Sequence, residues 1–259
     1  MRVVAIIPAR MGSLRFPGKP LACIGGMPMV QHVYHRVTLS QSLDEVFVAT
    51  PDVEIQRAME AIGAKVLMTS PLHERCTDRI AEAAERLDAD IVVNVQGDEP
   101  LIRPEMIDLA IMSLARDPAL GCVNLVLRIR MLAEFQNPNT IKVLRDLAGD
   151  AVYMSREPIP STRVISFERL MVYKQVCVIS FRKPLLMTFR RLEPTPLEQA
   201  ESIDMLRLIE HGYKIRLVES EWDSQAVDTP EDLTRVEVVM RDDHLFRSYA
   251  RGPAEARDV

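Results

Sequence analysis

The sequence is short of several things, and each shortage closes off a class of protein. Its four cysteines, Cys23, Cys76, Cys122 and Cys177, are widely scattered, so no paired spacing frames a zinc cage or a disulfide scaffold, and free thiols in a reducing compartment are expected. No apolar run approaches the roughly 18 residues of a membrane helix. The run behind Arg2 spans only Val3 to Ile7 before Pro8 stops it, which predicts a first strand rather than a secretory leader. Basic charge is not in surplus: 32 Lys and Arg stand against 37 Asp and Glu, a formal net charge of −5. Neither nucleic acid nor a membrane is therefore expected as a partner, and any polyanion has to be met locally. With 10 glycines, 17 prolines, no internal repeat and no linker, collagenous and low-complexity chains are excluded, and a soluble, cytoplasmic protein is expected within the 259 residues.

What is present is an alternation. Val3 to Ile7, Val46 to Thr50, Lys65 to Met68 and Ile91 to Val95 read as strands. Apolar residues at helical spacing follow each: Val30, Val33, Tyr34 and Val37; Ile55, Ala58, Met59 and Ile62; Ile80, Ala83, Ala84 and Leu87; Ile107, Ala110, Ile111 and Leu114. This predicts an α/β fold with a mostly parallel sheet flanked by helices. From about 120 to 180 the pattern loosens into strands at Cys122 to Leu127, Ile141 to Leu144 and Met171 to Ile179, read as a mixed-sheet dimerisation extension. A helix over Leu197 to Glu210, a strand at Ile215 to Val218 and a closing helix with Leu233, Val236 and Met240 follow. One domain is expected over 1–240, with 241–259 a polar, frayed tail.

In such sheets ligands sit beyond the carboxyl ends of the strands. The loop Pro8 to Pro20 places Arg10, Arg15 and Lys19 among Gly12, Ser13 and Gly18, a polyphosphate cradle by composition, with glycine spacing that fits neither a Walker loop nor a dinucleotide fingerprint. Asp98 and Glu99 follow Gly97 at a strand end, as Mg²⁺ ligands do, and as turn residues also do. Asp228 suits a helix cap or a second carboxylate for the same metal, with Thr229 as the other cap candidate. Glu198 and Glu201 share a helix face that suits a polar substrate or solvent equally. Arg156 has the fork to grip a carboxylate. His32 and His35 are expected as exposed helix positions, and Trp222 and the methionines as packing residues.

Together these segments carry a resemblance that extends to about Met240. IIPARMGSLRFPGKPL, ThrAspArgIleAlaGlu at 77–82, VNVQGDEPLI, NPNTIKVL, SerArgxxxIlePro, ProLeuGlu and VDTPEDL, in this order, resemble the 3-deoxy-manno-octulosonate (Kdo) cytidylyltransferases, which couple CTP to a keto-sugar acid and release pyrophosphate. The resemblance implies a single Rossmann-like nucleotidyltransferase domain and a homodimer. It implies that Pro8, Ala9, Arg10, Ser13, Arg15, Lys19, Arg75, Cys76 and Thr77 bind the nucleotide, with Lys19, Arg15 and Asp98 catalytic and Asp98 and Asp228 holding Mg²⁺. Gln96, Arg156, Gln175, Glu198 and Glu201 then face the acidic sugar or phosphonate acceptor.

Two segments depart from the family pattern. Arg75 and Cys76 stand in a SerGlyThrGluArg motif, next to the base. Gln175 to Ile179 replace HisLeuGlyIleTyr, exchanging a His and a Tyr of the acceptor pocket. The second exchange predicts poor use of Kdo and opens an alternative: an amino-Kdo, a nonulosonate or a phosphonate as acceptor. A non-catalytic nucleotide-binding module is the other alternative, and retention of both carboxylates and the loop cations argues against it. The chemistry asks for alignment and charge neutralisation rather than a side-chain nucleophile.

Overall fold

A computed structural model describes residues 1–12 and 15–250. Strands β1 (Val3–Pro8), β4 (Glu45–Thr50), β5 (Lys65–Met68) and β6 (Ile91–Val95) run parallel, as the alternation requires. Between them lie a two-stranded ribbon, β2 (Cys23–Ile24) and β3 (Met27–Pro28), and helices α1 (Met29–Val37), α2 (Val53–Glu60) and α3 (Cys76–Glu85). After α4 (Pro104–Arg116) the chain adds β7 (Cys122–Arg128), α5 (Leu132–Gln136), β8 (Lys142–Arg145) and β9 (Ala151–Ser155). Then come β10 (Tyr173–Arg182), α6 (Lys183–Arg191), α7 (Pro196–Glu201), α8 (Met205–Glu210), β11 (Arg216–Glu219), α9 (Pro230–Arg241) and α10 (His244–Ala250).

The main sheet has the order β11-β7-β10-β6-β1-β4-β5. Only β10 runs against its neighbours β6 and β7 in that path. Period-two alternation splits each central strand between two cores. Val3, Ala5 and Ile7 of β1 meet α1, α2 and α4 on one face, while Val4 and Ile6 meet α3, α6 and α8 on the other. The expected extension over 120–180 is thus partly interior, since β7 and β10 lie within the sheet and only β8 and β9 project from β10.

Three expectations need correction. The helix over 197–210 is two helices, broken where Ser202 adopts φ 57°. Of the tail expected over 241–259, His244–Ala250 form α10, whose Phe246 packs on the cluster of Ile24, Met29 and Val236, and 251–259 lie outside the described residues. His32 is fully buried rather than exposed, because α10 covers that face of α1.

Candidate active site

The carboxyl ends of β1 and β6 are drawn together at one glycine. A Cβ on Gly97 would lie 2.7 Å from the Pro8 carbonyl oxygen, so only glycine lets the loop after β6 cross this close to the loop after β1. That crossing sets Asp98 opposite the cation loop. Lys19 stands in a short turn, Lys19–Leu21, and its Nζ donates to Asp98 Oδ2 at 2.6 Å, to the Val227 carbonyl at 2.8 Å and to Asp228 Oδ1 at 3.5 Å. Burial opposes the Lys19 charge, but the two carboxylates outweigh it and hold its ammonium above the ordinary value. Arg15 closes the group, donating to Asp228 at 2.9 Å and to Asn139 at 2.7 Å.

The base of α9 explains why Asp228 is available. Thr229 takes the cap: its Oγ accepts from Asp232 N–H at 3.3 Å, and Asp232 accepts from Thr229 N–H at 2.9 Å. Val227 N–H donates to the Asp98 carbonyl at 2.9 Å, tying the two acidic loops to each other. One cation thus sits within reach of both carboxylates, and among the described residues no three His, Cys, Asp or Glu side chains gather as metal ligands. Two carboxylates, with phosphates and water completing the shell, suit Mg²⁺.

Arg15, Asp98 and Asp228 open on a cleft of about 770 Å³, whose other walls carry Gln96, Arg156 and Gln175. Gln175 Nε2 donates to Asn124 Oδ1 at 2.7 Å. Ile179 does not reach the cleft; it is 4% exposed and belongs to the core beneath the sheet. Arg156 is aimed by its neighbours: Glu201 accepts from Arg156 N–H at 2.8 Å and from Ser155 Oγ at 2.7 Å, and Arg156 Nε donates to the Glu201 carbonyl at 2.8 Å. Burial opposes the Glu201 charge, yet these donors hold its carboxyl below the ordinary range.

Glu198 lies elsewhere. It is 1% exposed, with both carboxylate oxygens taken by Arg207 at 2.6 and 2.8 Å, and Arg207 also forks onto Asp78 at 2.8 and 3.1 Å. The structure thus separates Glu198 and Glu201 from the cleft surface while leaving Arg156 on it. The remaining expected nucleotide residues gather around a smaller recess of about 30 Å³, walled by Pro8, Ala9, Arg10, Arg75 and Cys76. Arg75 donates to Ser202 Oγ, and buried Thr77 donates its N–H to Asp204 at 3.0 Å. Ser13 falls outside the described residues.

Burial pushes the Cys76 thiol up to about 12 and the Cys177 thiol well above the ordinary value, which disfavours the thiolate at both. Glu99, read in sequence as a metal-ligand or turn candidate, is buried beside the cleft, and two further residues there, Lys174 and Lys142, escaped the sequence reading. Glu99 is 4% exposed with Oε2 unpartnered, and burial, reinforced by Asp98, raises its carboxyl to about 7. Lys174 joins Glu134 and Asp223 at 2.7 and 2.9 Å. Fully buried Lys142 donates to the carbonyls of Asn137, Thr140 and Arg156, fastening the Asn139 loop beside Arg156. The NPNTIK run carried the signal for Asn139 and Lys142.

The sequence profile of the cytidylyltransferases matches residues 4–215. The 3-deoxy-manno-octulosonate cytidylyltransferase of Geobacter metallireducens is 49% identical over 245 residues, 91% of this chain and 96% of the relative. Its namesake in Geotalea uraniireducens is 47% identical over 91% of this chain and 98% of the relative. A solved structure of CMP:2-keto-3-deoxy-manno-octonic acid synthetase complexed with CTP superposes with a TM-score of 0.87 at 40% identity, covering 93% of this chain and 99% of that one. A 4-diphosphocytidyl-2C-methyl-D-erythritol synthase from Anaerococcus prevotii, at 15% identity and a TM-score of 0.63, shares the fold. Relatives of this closeness carry the Kdo name, so the alternative acceptors are not favoured. The α/β sheet, the paired carboxylates facing the loop cations and these likenesses agree: the chain belongs to the cytidylyltransferase family.

Proposed function

We propose that this chain couples CTP to Kdo, giving CMP-Kdo and pyrophosphate. The observation that carries the reading is the convergence of Arg15, Asp98 and Asp228, joined from behind by Lys19, on one wall of a cleft whose other walls present Gln96, Arg156 and Gln175. In this reading the acceptor hydroxyl attacks the α-phosphorus in line with the departing pyrophosphate, and the protein contributes alignment and fixed charge. Arg15 and Lys19 neutralise the β- and γ-phosphates as charge grows on the leaving group. Arg10, Arg75, Cys76 and Thr77, with Pro8 and Ala9, receive the nucleoside end, and Ser13 the phosphates. Arg156 holds the acceptor carboxylate bidentately, while Gln96 and Gln175 hydrogen-bond its hydroxyls.

Glu201 and Glu198 serve the acceptor indirectly, the first by fixing Arg156 and the second by locking α7 to α8 and α3 through Arg207. Asp98 and Asp228 would hold Mg²⁺, which supplies charge neutralisation at the phosphate and acidity to the acceptor hydroxyl. A homodimer is supported by the exposed Leu147, Val152, Val164 and Met171 on and around the β8–β9 arm, an apolar surface that a second copy would cover. No helix among the described residues is long and apolar enough to cross a membrane, and a cytoplasmic site, where thiols stay reduced, agrees with four unpaired cysteines.

The test is product identification by ³¹P NMR with CTP, Mg²⁺ and Kdo. Equimolar CMP-Kdo and pyrophosphate are expected, with UTP and ATP used at least about tenfold less well. Pyrophosphate formed with another keto acid and none with Kdo would overturn the acceptor; equal use of ATP would overturn the base assignment.

A further inference from the structure

The last described helix, α10, touches none of the groups just named, yet its side chains reach the supports of both loops that carry them. Tyr249 Oη lies 3.0 Å from His32 Nδ1 and accepts from Arg36 Nε at 3.2 Å, while Arg36 Nη2 pairs with Asp243 at 3.0 Å. His32 and Arg36 are fully buried. His32 Nε2 sits 2.8 Å from the Ile24 carbonyl, which only accepts, so that nitrogen carries the proton and Nδ1 accepts from the Tyr249 hydroxyl. Burial lowers this imidazole to about 4, which leaves it neutral, as the pattern requires.

The far ends of this network lie at the catalytic loops. Ile24 belongs to the ribbon that follows the Lys19 turn, and the Ala22 carbonyl at the end of that turn accepts from Met29 N–H at 2.8 Å, joining turn, ribbon and α1. On the other side Arg36 Nη1 donates to the Ile102 carbonyl at 3.4 Å, and Ile102 N–H donates to the Glu99 carbonyl at 3.0 Å, one residue past Asp98. Phe246 adds the apolar half. Its ring lies 3.0 Å from where a Gly25 Cβ would stand, and it joins the cluster of Phe16, Leu101 and Val227, one residue from each loop of the site.

We infer that α10 is a brace, with Tyr249 and Arg36 as positioning residues that set the Lys19 loop against the Asp98 loop; this rests on the nucleotide role proposed for that cluster. Loss of the Tyr249 hydroxyl leaves a buried imidazole nitrogen and a buried guanidinium N–H without partners. A shift of α1 against the ribbon relieves them, and that shift moves Lys19 relative to Asp98. Arg156, just past the end of β9, and Gln175 on β10 stand outside the network, so the acceptor side keeps its geometry.

The test compares the full chain with Tyr249→Phe and Asp243→Asn, and with Phe189→Leu, which loosens the opposite core, as a stability control. Calorimetric affinity for CTP with Mg²⁺ is measured alongside KM for CTP and for Kdo. Tyr249→Phe and Asp243→Asn are each expected to lose about tenfold in CTP affinity, with KM for Kdo unchanged within about twofold, while Phe189→Leu lowers the melting temperature and leaves CTP affinity intact. Tyr249→Phe and Asp243→Asn chains that melt lower yet bind CTP like the unmodified chain overturn the brace. If the unmodified chain binds CTP but does not consume Kdo, the acceptor assignment fails and the affinity ratio still decides the brace. If it does not bind CTP, both fail.

Discussion

Of the places in this molecule where one cation stands between two carboxylates, two have opposite uses. At the cleft it is Lys19 between Asp98 and Asp228; behind α3 it is Arg207 between Glu198 and Asp78. The guanidinium fork satisfies both oxygens of each partner, and burial takes Glu198 to 1% and Arg207 to 3% exposure. Burial opposes the Arg207 charge, but the two carboxylates hold it above its ordinary value. An ammonium is a point charge and saturates neither carboxylate. Among the described residues no hydrogen bond reaches Asp98 Oδ1 or Asp228 Oδ2, and both side chains line the cleft. The same charges make a clamp where every acceptor is filled, and a binding site where some are left open.

The comparison can be broken from either side. Arg207→Met leaves two partly or fully buried carboxylates uncompensated and should cost about 3–5 kcal/mol of folding stability. Urea unfolding measures that loss, and CTP affinity of the remaining folded protein should be unchanged. Asp98→Asn and Asp228→Asn should do the reverse, lowering kcat/KM about 10²–10³-fold with the melting temperature held or raised, because each removes charge from an unsaturated site. Normal turnover by either at limiting Mg²⁺ would reduce that residue to a partner of Lys19. The smallest effect concerns the brace. His32 has a native pKa of about 4 against 6.5 ordinarily, so the unfolded chain takes its proton first. Stability is therefore full above 6.5, falls between 6.5 and about 4, and levels below that. Between pH 7 and 5 the unmodified chain should lose about 2 kcal/mol more than His32→Asn, and equal losses would place the imidazole in contact with solvent.

What could be read in the sequence follows from how local each signal is. Strands β1, β4 and β6 are apolar runs buried on both faces, and the loops that leave β1 and β6 carry Arg15, Lys19 and Asp98 in plain sequence. Asp228 was legible as one of two candidates, and Thr229 settled the cap. The break at Ser202 was not legible, because Ile203, Leu206 and Ile209 continue the apolar stripe across it and periodicity cannot register one residue in a left-handed conformation. Glu198 was read as an acid facing acceptor or solvent because Asp78, which shares its Arg207, lies far off in sequence. Segment 244–250 looked like a tail because its use depends on His32 and Arg36, whose burial only α10 creates. Ile179 looked like a pocket residue because its motif position was visible and the inward face of β10 was not.

The claim that one charge cluster is open for a metal while the other is closed can be tested by counting. Titration of Mn²⁺ in the presence of CTP, followed by electron paramagnetic resonance, should find a CTP-dependent site in the unmodified chain that Asp98→Asn and Asp228→Asn each abolish and Glu198→Gln leaves in place. Retention of that site in both aspartate variants, or its loss in Glu198→Gln alone, would contradict the account.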